Sequence, residues 1–564
     1  MWAAFLGNDT ACATLLESKA DFRVDTVYGG ALESAEMGGN PRIVKRLLDA
    51  GAVFSTTRSD KTNIVILAAE AGHTEVLKML IDRKAAIDEA DAMGMTALMH
   101  ACRRGQIGTT ELLLAAGAEV NVGDIFGRTP LMYAALNGHT GEVNRLLGKG
   151  AAVNVKDKNG DTALILSARY SGDVQIAGLL KAKGAVLAAR DSRNRTAGDI
   201  ARARGYSAFA GVVAPGLKPA PDIRPSAVPD KARQAVQRSL PLIEKTTAKF
   251  TGTIGCNSCH HQGVGLMTTG TAKLHGYLID KFAVAKEQRA VLGETERHMD
   301  GIREVLPHQE QYKHLPAVDM EEFSPAVGVS HAALAQHGVP ASEATTAMTT
   351  ILARQQRVDG SWGFAVERAP IQSSHFSTTA YAIRTLNAYL PASLATEKKT
   401  RVAKAREWLI RTPAKNNEDR AFRLLALKWA DAPQTEIAAA RAEILSFQRK
   451  DGGWGQFSLA GAAPGYSRSD AYATGQSLYA LHVGGSVQAT ATAYRRGVEY
   501  LLRTQDEDGS WFVNKRAIPM NNYLDTGFPH GVSQYISYTG TCWATMSLIF
   551  AAEPAKNPKP LASR

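Results

Sequence analysis

The sequence predicts an all-α chain in two parts: a solenoid of helical repeats, then one closed ring of helix pairs. Three observations predict it. Anchor residues recur every 33 positions through residues 1–212. A proline-rich stretch, residues 213–229, then breaks every helical period. Beyond it a signature of the form Gln-x-x-Asp-Gly-Ser/Gly-Trp occurs three times, each time between two amphipathic helical segments.

The first part is read from its period. Thr96-Ala97-Leu98, Thr129-Pro130-Leu131 and Thr162-Ala163-Leu164 are 33 residues apart, as are Leu47, Leu80, Leu113, Leu146 and Leu179. Gly72, Gly105 and Gly138 keep the step, and Gly172 arrives one residue late. Glycine after an apolar helical run is the usual left-handed stop. The best unit, Gly127-Arg128-Thr129-Pro130-Leu131 through Gly138-His139, resembles the ankyrin repeat. That resemblance implies a turn and two antiparallel helices per unit, stacked because one unit cannot bury its own apolar face. It also implies a protein partner on the concave face, with a rigid spacer or an intramolecular lid as the alternatives. In this frame Met1 falls inside the first helix of a repeat, so an upstream segment, and with it an export signal, is one expectation. A degenerate half-repeat serving as cap is the other. Cys12 and Cys102 align with small or apolar core positions and are expected to be buried and inert.

The linker carries five prolines between Pro215 and Pro229 and is expected to be extended and stiff. A ring is expected over residues 230–555, followed by a short tail, 556–564. Its signatures are Gln356–Trp362, Gln448–Trp454 and Gln505–Trp511. Asp-Gly supplies a tight turn, and Gln and Trp are expected to pin it to neighbouring helices. Outer helices are expected to end near residues 255, 308, 356, 412, 448 and 505, which makes six pairs; Trp408–Pro413 stands in the fourth pair where the signature is missing.

The signature resembles the QW repeat of squalene–hopene and oxidosqualene cyclases. The fold this implies is the single (α/α)6 toroid shared with protein prenyltransferase β subunits. The activity does not follow. Class II cyclases protonate an alkene with a D-x-D-D acid, and none occurs here. Asp319-Met320-Glu321-Glu322 does not match and is expected on a surface loop. Whether the toroid is an enzyme therefore stays open, with an apolar or isoprenoid ligand as one expectation. Trp362, Trp454, Phe528, Tyr535 and Tyr538 fit a cavity lining, and for the signature tryptophans core packing is the preferred reading.

The chemistry-bearing motif is Cys256-Asn257-Ser258-Cys259-His260-His261. C-x-x-C-H is the attachment pattern of c-type haem, in which each thiol forms a thioether and the histidine ligates iron. Cys256, Cys259 and His260 are the expected cofactor-binding residues. They fall in the slot that the signature occupies in later repeats. Two other readings stand beside haem. One is zinc held by Cys256, Cys259, His260 or His261 with a further rim residue. The other is a reactive or merely structural thiol pair. His331, His375, Asp470 and His530 are expected along the same rim, as a distal ligand or as pocket lining.

Bulk properties narrow the classes. The 564 residues are 45% hydrophobic and 21% charged, with a formal net charge of +11. The charge is spread, and no basic tract interleaved with aromatics points to nucleic acid. No apolar run approaches the roughly 18 residues of a membrane-spanning helix. Five cysteines, three of them isolated, do not make a disulfide scaffold. Haem attachment requires export, so the expected location is periplasmic or otherwise extracytoplasmic if a segment precedes Met1, and cytoplasmic if none does.

Overall fold

The computed structural model describes residues 1–22, 30–52, 61–218, 223–254, 260–297, 299, 303, 323–364, 374–456, 468–513, 528–530 and 533–552. It separates into two compact units, Met1–Pro221 and a second beginning at Asp222. Among the described residues there is no strand, only two isolated bridges, Ala90 with Thr96 and Arg190 with Thr196.

The first unit is a run of short helix pairs: α1 (Trp2–Phe5) and α2 (Asp9–Glu17), α3 (Ala31–Met37) and α4 (Pro41–Asp49), α5 (Ile64–Ala71) and α6 (Thr74–Asp82), α7 (Ala97–Arg104) and α8 (Ile107–Ala115). They continue with α9 (Pro130–Asn137) and α10 (Thr140–Gly148), α11 (Ala163–Leu166) and α12 (Val174–Ala182), α13 (Ala197–Ala203) and α14 (Ser207–Val213). The recurring threonine is an N-cap. Thr96, Thr129, Thr162 and Thr196 each accept from the amide three residues on, at 3.2–3.4 Å.

The turn before each cap is built on an aspartate. Oδ1 of Asp91, Asp124, Asp157 and Asp191 accepts from the amides two and four residues on, at 2.8–3.0 Å. The late glycine has a structural consequence. The residue inserted before Gly172 is absorbed by a π-helical turn, Ser167–Ser171, directly after α11. It carries Arg169, whose guanidinium joins Asp161 at 2.7 Å to Asp191 at 3.0 Å, tying two successive turns together. Cys12 and Cys102 are buried, and burial pushes both thiols upward, so neither is a reactive thiolate.

Between α14 and the next helix, the stretch expected to be extended folds in part. Pro225–Ala227 forms a 3-10 turn that runs into α15 (Val228–Ile254), the fixed φ of proline being already helical there. The second unit then forms six outer–inner pairs among the described residues. These are α15 with α16 (His260–Leu274), α17 (Lys281–Arg297) with α18 (Phe323–Gln336), and α19 (Glu343–Arg354) with α20 (His375–Tyr389). The others are α21 (Ala395–Arg411) with α22 (Asn417–Trp429), α23 (Gln434–Ser446) with α24 (Ala471–Val483), and α25 (Thr492–Thr504) with α26 (Gln534–Ala551). The inner helices pack in chain order, α16 on α18, α18 on α20 and so on, and α26 closes the ring by packing on both α15 and α16. The expected outer-helix end near 308, the Asp319–Glu322 cluster and the 556–564 tail lie outside the described residues.

The three signatures are a clamp with one geometry. Gln356, Gln448 and Gln505 each donate Nε2 to the glycine carbonyl of their own turn, at 2.8–3.1 Å. The same amide donates to the next outer helix: Gln356 to Arg401 O at 2.8 Å, Gln448 to Ala493 O at 2.7 Å, and Gln505 to Ala235 O at 2.9 Å. The last of these joins α25 to α15 and so ties the end of the ring to its beginning. The tryptophans work radially. Nε1 of Trp362, Trp454 and Trp511 donates back to the last turn of its own outer helix, to Leu352, Ile444 and Leu501 at 2.6–2.9 Å. This satisfies carbonyls that a helix end otherwise leaves open. Their backbone amides donate to Thr379, Thr474 and Thr541 on the following inner helix, at 2.9–3.0 Å. All three rings are fully buried, so the signature tryptophans belong to the core. In the fourth pair Arg423 donates to Leu409 O at 2.8 Å and Ile410 O at 3.0 Å, closing the same helix end with a different donor.

Candidate functional site

The first pair departs from the clamp. Helix α15 ends at Ile254 and α16 begins at His260, so five residues separate them and two of those are cysteines. Cys256 and Cys259 lie outside the described residues, as do the side chains of His260 and His261. What the described chain fixes is the position of the motif, because His260 opens the first turn of an inner helix. Among the described residues no three His, Cys, Asp or Glu side chains converge as a metal site would require. Met267, farther along α16, is buried in the toroid core.

Three of the four rim residues stand at the N-terminal ends of inner helices. His375 is the first residue of α20; its Nδ1 lies 3.4 Å from Arg357 Nη1, and its ring meets Phe364 edge-on at 4.8 Å. Asp470 is the N-cap of α24; it accepts from Ala473 N at 2.8 Å and from Gln456 Nε2 at 3.2 Å. His530 precedes α26 with φ of 86°, in the left-handed region that few non-glycine residues adopt. Its Nε2 is 2.8 Å from Ser510 Oγ in the neighbouring clamp, and its ring packs edge-on against Phe512 at 5.4 Å. Each of the three therefore sits beside the clamp of its own pair, in the third, fifth and sixth repeats.

His331 corrects the expectation. Helix α18 begins at Phe323, eight residues before it, so His331 lies deep in the ring rather than at the rim. It meets Tyr389, the last residue of α20, edge-on at 5.9 Å. Burial pushes its pKa down to about 4, so the ring is neutral at physiological pH.

A buried acid not anticipated from the sequence lies at the start of another inner helix. Glu418, in the first turn of α22, is fully enclosed, and Tyr472 Oη donates to its Oε2 at 3.2 Å. Burial pushes the carboxyl well above the ordinary glutamate range and the adjacent Asp419 adds to this, while the Tyr472 and Ser377 hydroxyls pull back. Below it rings from four inner helices meet: Tyr381 with Phe422 at 5.2 Å, Phe422 with Trp543 at 5.8 Å, and Trp543 with Tyr479 at 5.3 Å. Burial beside this aromatic stack thus favours the protonated form of the carboxyl.

It also links stability to pH. A carboxyl whose folded pKa is raised binds its proton more tightly when folded, so its contribution is complete below about pH 4.5 and is lost as pH rises. Glu418→Gln should therefore be more stable than the parent at pH 8, with the gap widening by about 1.4 kcal/mol per pH unit until the folded carboxyl ionises. Urea unfolding at pH 5 and pH 8 checks this. A gap that does not change with pH would mean the carboxyl is ionised in the folded state.

Comparison with known proteins agrees with both units. Residues 31–124 and 113–167 match families of ankyrin repeats, and residues 420–552 match the squalene-hopene cyclase C-terminal domain. The chain is 37% identical over 107 residues to a squalene–hopene cyclase of Bradyrhizobium diazoefficiens, covering 16% of this chain and 14% of that one. It is 29% identical over 85 residues to a lanosterol synthase of Saccharomyces cerevisiae, covering 15% and 11%. It is 29% identical over 143 residues to a lanosterol synthase of Aspergillus fumigatus, covering 24% and 17%. Each match thus spans less than a fifth of the relative's own length. The chain carries ankyrin repeats and a cyclase-like helical domain. No helix among the described residues is long and apolar enough to cross a membrane.

Proposed function

We propose that this chain is an exported haem-binding or redox-linked protein. Cys256 and Cys259 would attach a haem c, and His260 would ligate its iron, at the rim of the cyclase-like toroid. The ankyrin repeats would dock a protein partner through their concave face. One observation carries the reading. Where three of the other pairs close with the Gln–Trp clamp, the five residues between the first outer and inner helices include two cysteines in sequence, and His260 is the first residue of that inner helix.

The donor set fits. Two thiols with two residues between them match two vinyl groups, and the histidine that follows directly is the residue type that ligates the iron in this pattern. The group would supply one-electron transfer. The chain's own residues would orient it by the helix start and seat it on the rim that also carries His375, Asp470 and His530. The absence of a D-x-D-D acid supports binding or redox work over cyclisation. Haem attachment outside the bacterial cytoplasm makes the proposed location periplasmic.

A second reading has its own support. The match to the cyclase C-terminal domain and the ring stack of Tyr381, Phe422 and Trp543 favour an isoprenoid-like ligand. A structural zinc at the same cysteines is the third. The test is a pyridine haemochrome spectrum of the full chain, exported from cells that mature c-type cytochromes and then denatured. Covalent haem near one per chain is the expected result. Haem-free protein with stoichiometric zinc would select the zinc scaffold, and haem-free, metal-free protein with bound lipid would select the isoprenoid reading.

A further inference from the structure

At the C-terminal end of α16, remote from the motif at its start, the toroid presents apolar side chains to water. Leu274 is 58% exposed, Leu278 95% and Phe282 89%. The exposure is built into the turn. Between α16 and α17 the residues alternate, with His275, Tyr277 and Ile279 facing the core and Leu278 facing out. His275 meets Phe550 edge-on at 5.3 Å, the Arg233 guanidinium lies 5.9 Å over the Tyr277 ring, and Tyr277 and Ile279 pack on the core. The far side of the turn is fastened as well. Asp280 N donates to Glu244 Oε1 at 2.8 Å, and Asp280 Oδ1 caps α17 by accepting from Phe282 N and Ala283 N at 2.9 and 3.0 Å. The turn is thus anchored from within while its outward residues are large and apolar, which its fold does not require.

The charge around them is mostly positive. Lys273, Lys281, Lys286 and Arg289 are exposed on the same turn and the first turns of α17. Of the acids beside them, Glu287 is buried, Glu244 is half-buried and Asp280 is exposed as the cap of α17, so the exposed cations outnumber the acids. Outward leucine and phenylalanine ringed by cations match a bilayer interface, where apolar side chains enter the acyl boundary and lysines meet anionic headgroups. An acidic protein would account for the cations and leave two almost wholly exposed apolar side chains without a use.

We propose that the α16–α17 turn docks the protein on an anionic membrane surface, with Leu278 and Phe282 inserted and Lys281 and Lys286 on headgroups. The proposal is independent of what the toroid binds. The test is co-sedimentation of the full chain with vesicles of phosphatidylcholine alone or mixed with phosphatidylglycerol. Binding to the mixed vesicles is expected, falling about tenfold in Leu278→Ser/Phe282→Ser and by a similar factor in Lys281→Glu/Lys286→Glu. All four side chains are exposed, so neither double variant threatens the fold. A Phe282→Trp variant should also be quenched by brominated acyl chains. Absence of sedimentation would overturn the proposal. So would binding that needs the lysines and is indifferent to Leu278 and Phe282, which is the behaviour of a generic acidic contact.

Discussion

Gly509→Ala is expected to destabilise the toroid by about 3 kcal/mol, the sum of a left-handed backbone forced on an L-residue and an added methyl in a filled space. Gly509 sits at φ of 91°, and a Cβ there would run into the main-chain carbonyl of Arg238 on α15. That contact is where the last outer helix meets the first, so the substitution pushes apart the joint that closes the ring. Gly276 is the control. Its φ is 77°, but nothing lies within 4 Å of its Cβ position, so Gly276→Ala should cost only the backbone strain, about 1 kcal/mol. Thermal unfolding of the two variants separates the terms, at about 1.5 °C per kcal/mol for a domain of this size. Equal losses would mean that the Gln505–Ala235 joint does not hold the ring shut.

The second large effect concerns the motif. Cys256→Ser/Cys259→Ser should abolish covalent haem while the ring folds, because the closing contacts among the described residues run from α25 and α26 to α15 and α16. His260→Met should behave differently, keeping the thioethers while changing the iron's ligand field. Absorption of the matured proteins in the Soret region, with a haem-stained denaturing gel, reads both. Haem retained by the double-serine protein would place attachment elsewhere.

Much of this fold was legible because repetition makes it so. Threonine caps and turn aspartates recur at a fixed step, each meeting the same backbone need in every unit. Gln, Asp-Gly and Trp recur in the toroid because the same two helix ends must be joined each time. The late Gly172 was visible too, but not its outcome, since a π-turn and a gap leave the same mark in sequence. The site was legible less evenly. Cys256, Cys259 and His260 stand out by type and spacing. Glu418 does not, because Asn417-Glu418-Asp419 reads as the ordinary acidic first turn of a helix, and only the ring packed around it buries the carboxyl and favours its protonated form. His331 was misplaced for a related reason: the second pair lacks the signature, so nothing in sequence marked Phe323 as the start of α18.

The most direct measurement is the mass of one peptide. Trypsin should release Phe250–Lys273, which contains both motif cysteines, from the exported, matured full chain. This peptide is expected to carry the mass of one haem, with neither cysteine open to an alkylating reagent. An unmodified peptide in which both Cys256 and Cys259 alkylate freely would contradict it.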